Sequence, residues 1–450
     1  MKFDKKKQKQ FTDDIYAHDG KSLVKLDCQN IQSRKKVIIS ERSTYKFIKE
    51  YFKSRCDFKI LSKKNSNTDD FDFKWTAIRN HQNFKNFNPQ QQIINHIQNL
   101  QKTISDKDKL VRTLKKFDEQ KIYNFTSDDF HFQSYIINLN SQNYTQEEQY
   151  FMQQVNSGIW MTKDPNGSLG KGIELFKDLN LLKDKIQQIK NDNSQTQNNK
   201  NSVKKEKKNK KTCFIQKYLE NPLILDNKKV DFRGYVLIAS LNPLVVLYQD
   251  GYARKCIEDY DTNFEVFNQT EAFKHLSNRT FQKNHTDYQD LQEELSLTPE
   301  KFENLLKQQF NLDDNQLAQL KHDRKKIIAY CIMAAENKLI KQNGTYQMMA
   351  VDLMWDENFN TKLIEFNTNP GLSKELTTYQ QLIPQIVQST LDLIIETFSE
   401  PSQIYKKWKQ PKKLELGRWE IIINEANNYN ILDQYKRKQN DVDINQYSEL

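Results

Sequence analysis

Apolar and charged residues alternate through Lys229-Val-Asp-Phe-Arg-Gly-Tyr-Val-Leu-Ile238, a period of two that predicts a strand. Successive strand side chains point to opposite faces, so Lys229, Asp231 and Arg233 share one of them. The next run, Leu244 to Tyr248, is almost wholly apolar, which predicts a sheet inside a core. Charges that face inward need a charged ligand. Further on, Val351-Asp-Leu-Met-Trp-Asp-Glu-Asn-Phe-Asn-Thr-Lys-Leu-Ile-Glu-Phe-Asn367 places the turn-forming Asp356-Glu357-Asn358 between two apolar runs and predicts a hairpin. Glu365 and Asn367 then project from one face, about 6–7 Å apart, and Asp352 on the partner strand can point there too.

Helical periods occupy other stretches. Leu110, Val111, Leu114 and Phe117 form a stripe behind Ser105, a candidate N-cap. Gln316 to Ile340 is the longest helical candidate, with Leu317, Leu320, Ile327, Ile328, Cys331, Ala335 and Leu339 as a core stripe, and Leu382 to Phe398 is a second amphipathic helix. Residues 21–100 carry short strand-like runs at Val37-Ile-Ile-Ser40 and Phe73 to Ile78, and a helix from Thr44 to Phe52. The patterning lapses in residues 1–20, which read as disordered. It lapses again from Lys190 to Lys211, where almost nothing is apolar and a flexible surface insertion is expected. Residues 401–450 are basic and then mixed, punctuated by Pro401 and Pro411, and either pack on the body or bind a partner.

Glycine is scarce, with ten in 450 residues, and four of the ten fall between Gly158 and Gly172. Lys163 ends a strand-like run there, and Lys171 stands next to Gly172. Backbone amides freed by glycine and flanked by two ammonium groups suit a polyphosphate, although such a loop serves equally as a flexible link between strands. It is not a P-loop, because Gly172 occupies the place of the metal-binding Ser or Thr. The carboxylates of Asp352 and Glu365 with the amide of Asn367 make a hard oxygen site for Mg²⁺; a solvated strand face is the plainer alternative.

Hydrophobic residues make up 36% of the chain and mean hydropathy is −0.88, low for an enzyme, but the deficit lies in loops. Cys28, Cys56, Cys213, Cys256 and Cys331 are widely spaced without a C-x-x-C pair, which predicts free thiols, a reduced compartment and no zinc site. No run approaches the roughly 18 apolar residues of a membrane span, and the basic N-terminus leads into no apolar segment. A soluble intracellular protein that binds no membrane is expected. A net charge of +10 favours an anionic partner. Nucleic acid is disfavoured, as basic and aromatic residues do not interleave.

Six blocks in order, Gly-Lys-Gly172-Ile, Gln216-Lys-Tyr-Leu-Glu-Asn-Pro-Leu, Lys229-Val-Asp-Phe-Arg233, Gly-Tyr-Ala-Arg254, His275-Leu-Ser-Asn-Arg-Thr-Phe-Gln-Lys283 and Ile-Glu365-Phe-Asn-Thr-Asn-Pro-Gly-Leu372, resemble the tubulin–tyrosine-ligase-like family over about Lys107 to Phe398. Asp250 to Arg254, Ala334-Ala335 and the 382–398 helix look most like its polyglycylase branch. The resemblance implies an α+β chain: an ATP-grasp catalytic region over 151–400 containing the 190–211 insertion, a smaller N-terminal α/β subdomain with the start of the central one over 21–150, and a basic extension over 401–450. It implies ATP and Mg²⁺. Lys107, Lys163, Lys171, Gly172, Lys229 and Asp231 would meet the nucleotide, and Gln216, Lys217, Tyr218 and Leu219 would bond the adenine edge through their backbone. Asp352, Glu365 and Asn367 would hold the metal, Arg233 would neutralise phosphate, and Arg254 with Asn278 would meet the amino acid. Lys163-Asp-Pro departs from the family's Lys-Pro, and Met349-Ala-Val-Asp352 from its Phe-Gly-Phe-Asp. The expected protein is a monomeric ligase of the cytoskeleton, at the cilium or axoneme, joining glycine to acidic tubulin tails or another acidic protein. A glutamate-joining relative and a non-catalytic microtubule binder are the alternatives.

Overall fold

The computed structural model describes residues 33–39, 45–61, 68–76, 84–164, 172–198 and 212–438, together with the strands Ile15–His18 and Leu23–Leu26. Its fold is mixed α and β, built on a twelve-stranded sheet. The predicted charged strand runs from Lys228 to Leu241 at the centre, antiparallel to Leu244–Lys255 on one side and Thr345–Trp355 on the other. Thr361–Asn367 completes the predicted hairpin.

The alternation in the central strand decides the layers. Tyr235, Leu237 and Ala239 enter one core, while Val236 and Ile238 enter the other. The helices Lys46–Lys53 and Thr377–Phe398 cover the first face, and Lys107–Asp118 and Asp314–Glu336 the second. A sheet covered by helices on both faces buries its strands completely. All seven residues of the predicted stripe from Leu317 to Leu339 are buried. Four short strands, Lys35–Ile39, Phe58–Ile60, Phe73–Trp75 and Ile93–Asn95, extend the sheet in parallel pairing, the last of them against Thr345–Trp355. A separate antiparallel sheet holds Ser134–Asn138, Thr212–Lys217, Trp160–Lys163 and Glu174–Phe176.

Several expectations need correction. The helix Leu179–Asn198 runs into the stretch expected to be flexible from Lys190. Lys190 is fully buried with its ammonium 3.5 Å from the Tyr144 ring centre, and Asn193 donates to the Leu139 carbonyl at 3.1 Å. A cation–π contact and one amide bond replaced the apolar stripe that was lacking. Residues 199–211 lie outside the described residues. Ile15–His18 pairs with Leu23–Leu26, where a disordered stretch to residue 20 was expected; the Asp19-Gly20 dipeptide between them is a hairpin signal. Asp106, not Ser105, takes the N-cap position of the Lys107 helix, and the Ser105 hydroxyl instead donates to the Phe366 carbonyl at 2.9 Å. Cys56 is disulfide-bonded, against the expectation of free thiols, because pairing follows proximity in the fold and not spacing. Cys213, Cys256 and Cys331 form no disulfide.

Residues 401–438 of the extension pack on the body. Glu420–Asn424 adds to the sheet beside Leu244–Lys255, and Trp408, Trp419, Ile422 and Leu432 are buried. No helix among the described residues is long and apolar enough to cross a membrane.

Candidate active site

A cleft lined by residues of both sheets opens between them. The large sheet supplies Lys229, Asp231, Arg254, Asp352 and Glu365 to its wall, and the small sheet supplies Lys163, Gln216 and Lys217. Tyr218 and Leu219, Asn278, and Lys107 from its helix complete the predicted residues that line it.

Strand register explains why charges up to 119 positions apart meet. Arg254 lies opposite Asp231, Arg233 opposite Asp352, and Asp352 opposite Glu365. Opposed pairs of opposite sign support one another across a sheet. Two bulges aim this row. The pairing of Arg233 with Tyr252 and of Gly234 with Asp250 skips Gly251. The pairing of Asp352 with Glu365 and of Leu353 with Leu363 skips Ile364. A bulge turns its strand and re-aims neighbouring side chains, and Ile364 joins Glu365 in the cleft wall.

The row is tightly paired. Arg233 grips Asp352 through Nε at 2.5 Å and Nη2 at 2.8 Å, and Arg254 grips Asp231 at 2.6 and 2.7 Å. Arg254 Nη2 also reaches Asp352 at 3.1 Å, and Ser277 Oγ donates to Asp231. All four charged side chains are at most 8% exposed. Burial alone would raise the Asp352 carboxyl, but the two guanidinium groups outweigh it and hold it at about 2. Glu365 pairs with Lys107 at 3.0 Å.

Lysines reach the cleft from both sheets, Lys229 from the large one and Lys163 from the small one. Burial, and then the Lys107 ammonium, push Lys163 down to about 7 while it donates to Gln216 Oε1 at 2.7 Å. Burial brings Lys229 to about 8. Lys229 donates to the Tyr218 oxygen at 2.9 Å, and that hydroxyl is hydrogen-bonded to His275 Nδ1 at 2.8 Å, in the direction that the imidazole tautomer sets. His275 is kept neutral by burial and then by Lys229, near 3, and its buried Nε2 has no partner among the described residues.

Three of the described predicted residues are not gathered. Arg233 lies behind the wall, spent on Asp352. Asn367 falls outside it because its side-chain oxygen accepts from the Asn369 amide at 3.1 Å. Gly172, exposed with φ +71°, does not line the cleft, and Lys171 lies outside the described residues. The sequence reading missed His275, Ser277, Ile364, Met161 and Met354. Met161 and Met354 were reachable, since each stands two positions from a predicted residue on the same strand face.

The donor set fits Mg²⁺ in part. Two carboxylates stand opposite each other on neighbouring strands, and among the described residues no third acidic, His or Cys group joins them. A site of one or two carboxylates completed by substrate phosphates is the usual form for this ion.

The model of the "Tubulin-tyrosine ligase family" matches residues 83–403. Protein polyglycylase TTLL10 of Macaca fascicularis is 28% identical over 247 residues, 54% of this chain and 38% of that protein. Inactive polyglycylase TTLL10 of Homo sapiens is 29% identical over 248 residues, 53% of this chain and 35% of that protein. Tubulin glycylase 3C of Tetrahymena thermophila is 27% identical over 271 residues, 59% of this chain and 22% of that protein. The chain thus spans less than half the length of each of these relatives. With the family model matched over well more than half of its residues, the chain belongs to the tubulin–tyrosine ligase family.

Proposed function

We propose that this protein is an ATP-dependent ligase of ATP-grasp architecture that joins glycine to glutamate side chains of acidic protein tails, tubulin's among them. The observation that carries the reading is one cleft holding Lys107, Lys163 and Lys229 around a facing pair of carboxylates, Asp352 and Glu365. Three cations without enough acid to neutralise them suit a polyphosphate, and the carboxylates suit its magnesium. The glycylase names of the relatives support glycine, and the chain's +10 charge suits an acidic acceptor.

The chemistry asks for positioning and charge neutralisation, with no covalent enzyme nucleophile. The γ-phosphoryl of ATP passes to the acceptor carboxylate as the bond to ADP breaks. The glycine amine then attacks the acyl carbon, phosphate leaves, an amide forms and a proton is lost. Lys107, Lys163, Lys229 and, beyond the described residues, Lys171 with neighbouring Gly172 would hold phosphates. Gln216 to Leu219 would bond the adenine edge, and Asp231 lies beside the nucleotide. Asp352 and Glu365, joined by Asn367 once it turns from Asn369, would hold Mg²⁺, which would draw charge from the phosphates. Arg254 and Asn278 would meet the glycine carboxylate in a fork geometry that lysine cannot copy. A cytoskeletal or ciliary setting follows from the acceptor.

The test is purified protein with ATP, tubulin and labelled glycine or glutamate in parallel, read by mass spectrometry of the tails. Glycine additions without glutamate are expected. Glutamate alone would replace the amino acid and keep the ligase chemistry; no ATP-dependent addition would leave a non-catalytic binder.

Nucleotide binding is expected to take up protons. A bound polyphosphate favours the charged forms of Lys163 and Lys229, which titrate near 7 and 8 in the free protein. Between pH 7 and 9 each takes up a fraction of a proton on binding, a fraction that grows with pH, so affinity falls as pH rises. Titration calorimetry at pH 7.5 (about the midpoint of the two) should give different heats in HEPES and Tris. Equal heats would remove both lysines from the phosphate site.

A further inference from the structure

Asp352 is expected to hold metal, yet its carboxylate already accepts three guanidinium bonds, two from Arg233 and one from Arg254. A carboxylate offers about four lone-pair positions. With three of them taken, a metal held through both carboxylate oxygens must displace an arginine.

The two arginines differ in what else holds them. Arg254 is fixed by a second, bidentate grip on Asp231, which Ser277 braces from behind. Arg233 makes its ion pair with Asp352 and with no other acid among the described residues. Both are buried, and a buried guanidinium stripped of its partner is strongly unfavourable.

We propose that Asp352 is an interlock: it neutralises Arg233 in the resting protein, and a divalent cation that takes Asp352 releases Arg233 as an anion-binding group. On this basis metal and anionic substrate bind with positive coupling. The cation alone leaves Arg233 unpaired, and an anion alone must compete with Asp352. Arg254 stays anchored to Asp231 throughout, so the first anion contact created by the metal is Arg233's. Asp231 thereby acts chiefly as a positioning residue for Arg254. The proposal rests on the metal reading of Asp352 given above, but its test needs no amino acid, tubulin or turnover.

Two variants of the full chain remove one side of the interlock each. In Asp352→Asn the competing charge is gone, and inorganic tripolyphosphate in excess EDTA should bind at least about tenfold more tightly than to the wild type. In Arg233→Gln the competing cation is gone, and Mn²⁺ alone, followed by its electron paramagnetic resonance signal, should bind at least about tenfold more tightly. Far-ultraviolet circular dichroism and melting temperature report whether each variant is folded. Should Asp352→Asn fail to fold, Arg233→Gln decides, since Asp352 keeps Arg254 there. Tripolyphosphate or Mn²⁺ affinity equal to or below wild type in the folded variants would overturn the interlock. Ligase assays on the same preparations separate this outcome from failure of the functional reading, because an inactive protein with coupled binding keeps the interlock and loses only the reaction.

Discussion

Glu365→Gln is expected to lower ATP-dependent ligation by roughly a hundred- to a thousandfold, the scale on which removing one electrostatic group from a reacting centre acts. The substitution keeps the shape of the side chain and deletes one of the two carboxylates that face each other across the Thr345–Trp355 and Thr361–Asn367 strands. Its cost to folding is small by comparison. The ion pair it breaks, with Lys107, is partly exposed, with side chains 14% and 29% accessible, and such pairs contribute about 0–1 kcal/mol. Melting temperature should therefore stay near that of the wild type while the rate collapses, most severely at limiting Mg²⁺. Wild-type turnover at limiting Mg²⁺ would remove Glu365 from the metal site.

Gly251→Ala should do the opposite and strike the fold first. A Cβ at Gly251 would lie 2.3 Å from the Arg233 carbonyl oxygen and 2.8 Å from the Tyr235 ring. Backbone and a fully buried tyrosine cannot yield as the end of a flexible side chain can. The bulge at this glycine lets the strand carrying Arg254 pass close to the strand carrying Arg233. Overpacking there should cost about 3 kcal/mol or more and displace both arginines from their carboxylates. Gly371→Ala, with nothing within 4 Å of the added carbon, is the matched control. Chemical denaturation checks the pair; equal midpoints for Gly251→Ala and wild type would show that the bulge has room to relax.

Period-two and helical patterns made the central strand, the hairpin and the long helices legible, because burial on alternate faces leaves that trace in composition. The charges at Lys229, Asp231 and Arg233 were legible as inward-facing for the same reason. What they pair with was not. Arg233 meets Asp352 across 119 positions, and only strand register, set by the whole sheet, brings them together. The expectation that Asp352 and Asn367 stand ready for metal overlooked nearer partners, two arginines for the one and the Asn369 amide for the other. Strict alternation likewise hid Ile364, since a one-residue bulge breaks the period that would reveal it. The helix through Lys190 was illegible because its inner contacts are a buried ammonium on an aromatic ring and an amide, and neither shows in an apolar pattern.

The proposed reaction activates an acceptor carboxylate in this cleft with the γ-phosphoryl of ATP. An acidic acceptor peptide whose glutamate side-chain oxygens carry heavy oxygen tests it directly. With purified protein, Mg²⁺, ATP and glycine, one heavy oxygen per amide formed is predicted in the released phosphate, because the acyl phosphate loses its bridging carboxylate oxygen to phosphorus. Amide formation with unlabelled phosphate would contradict the account.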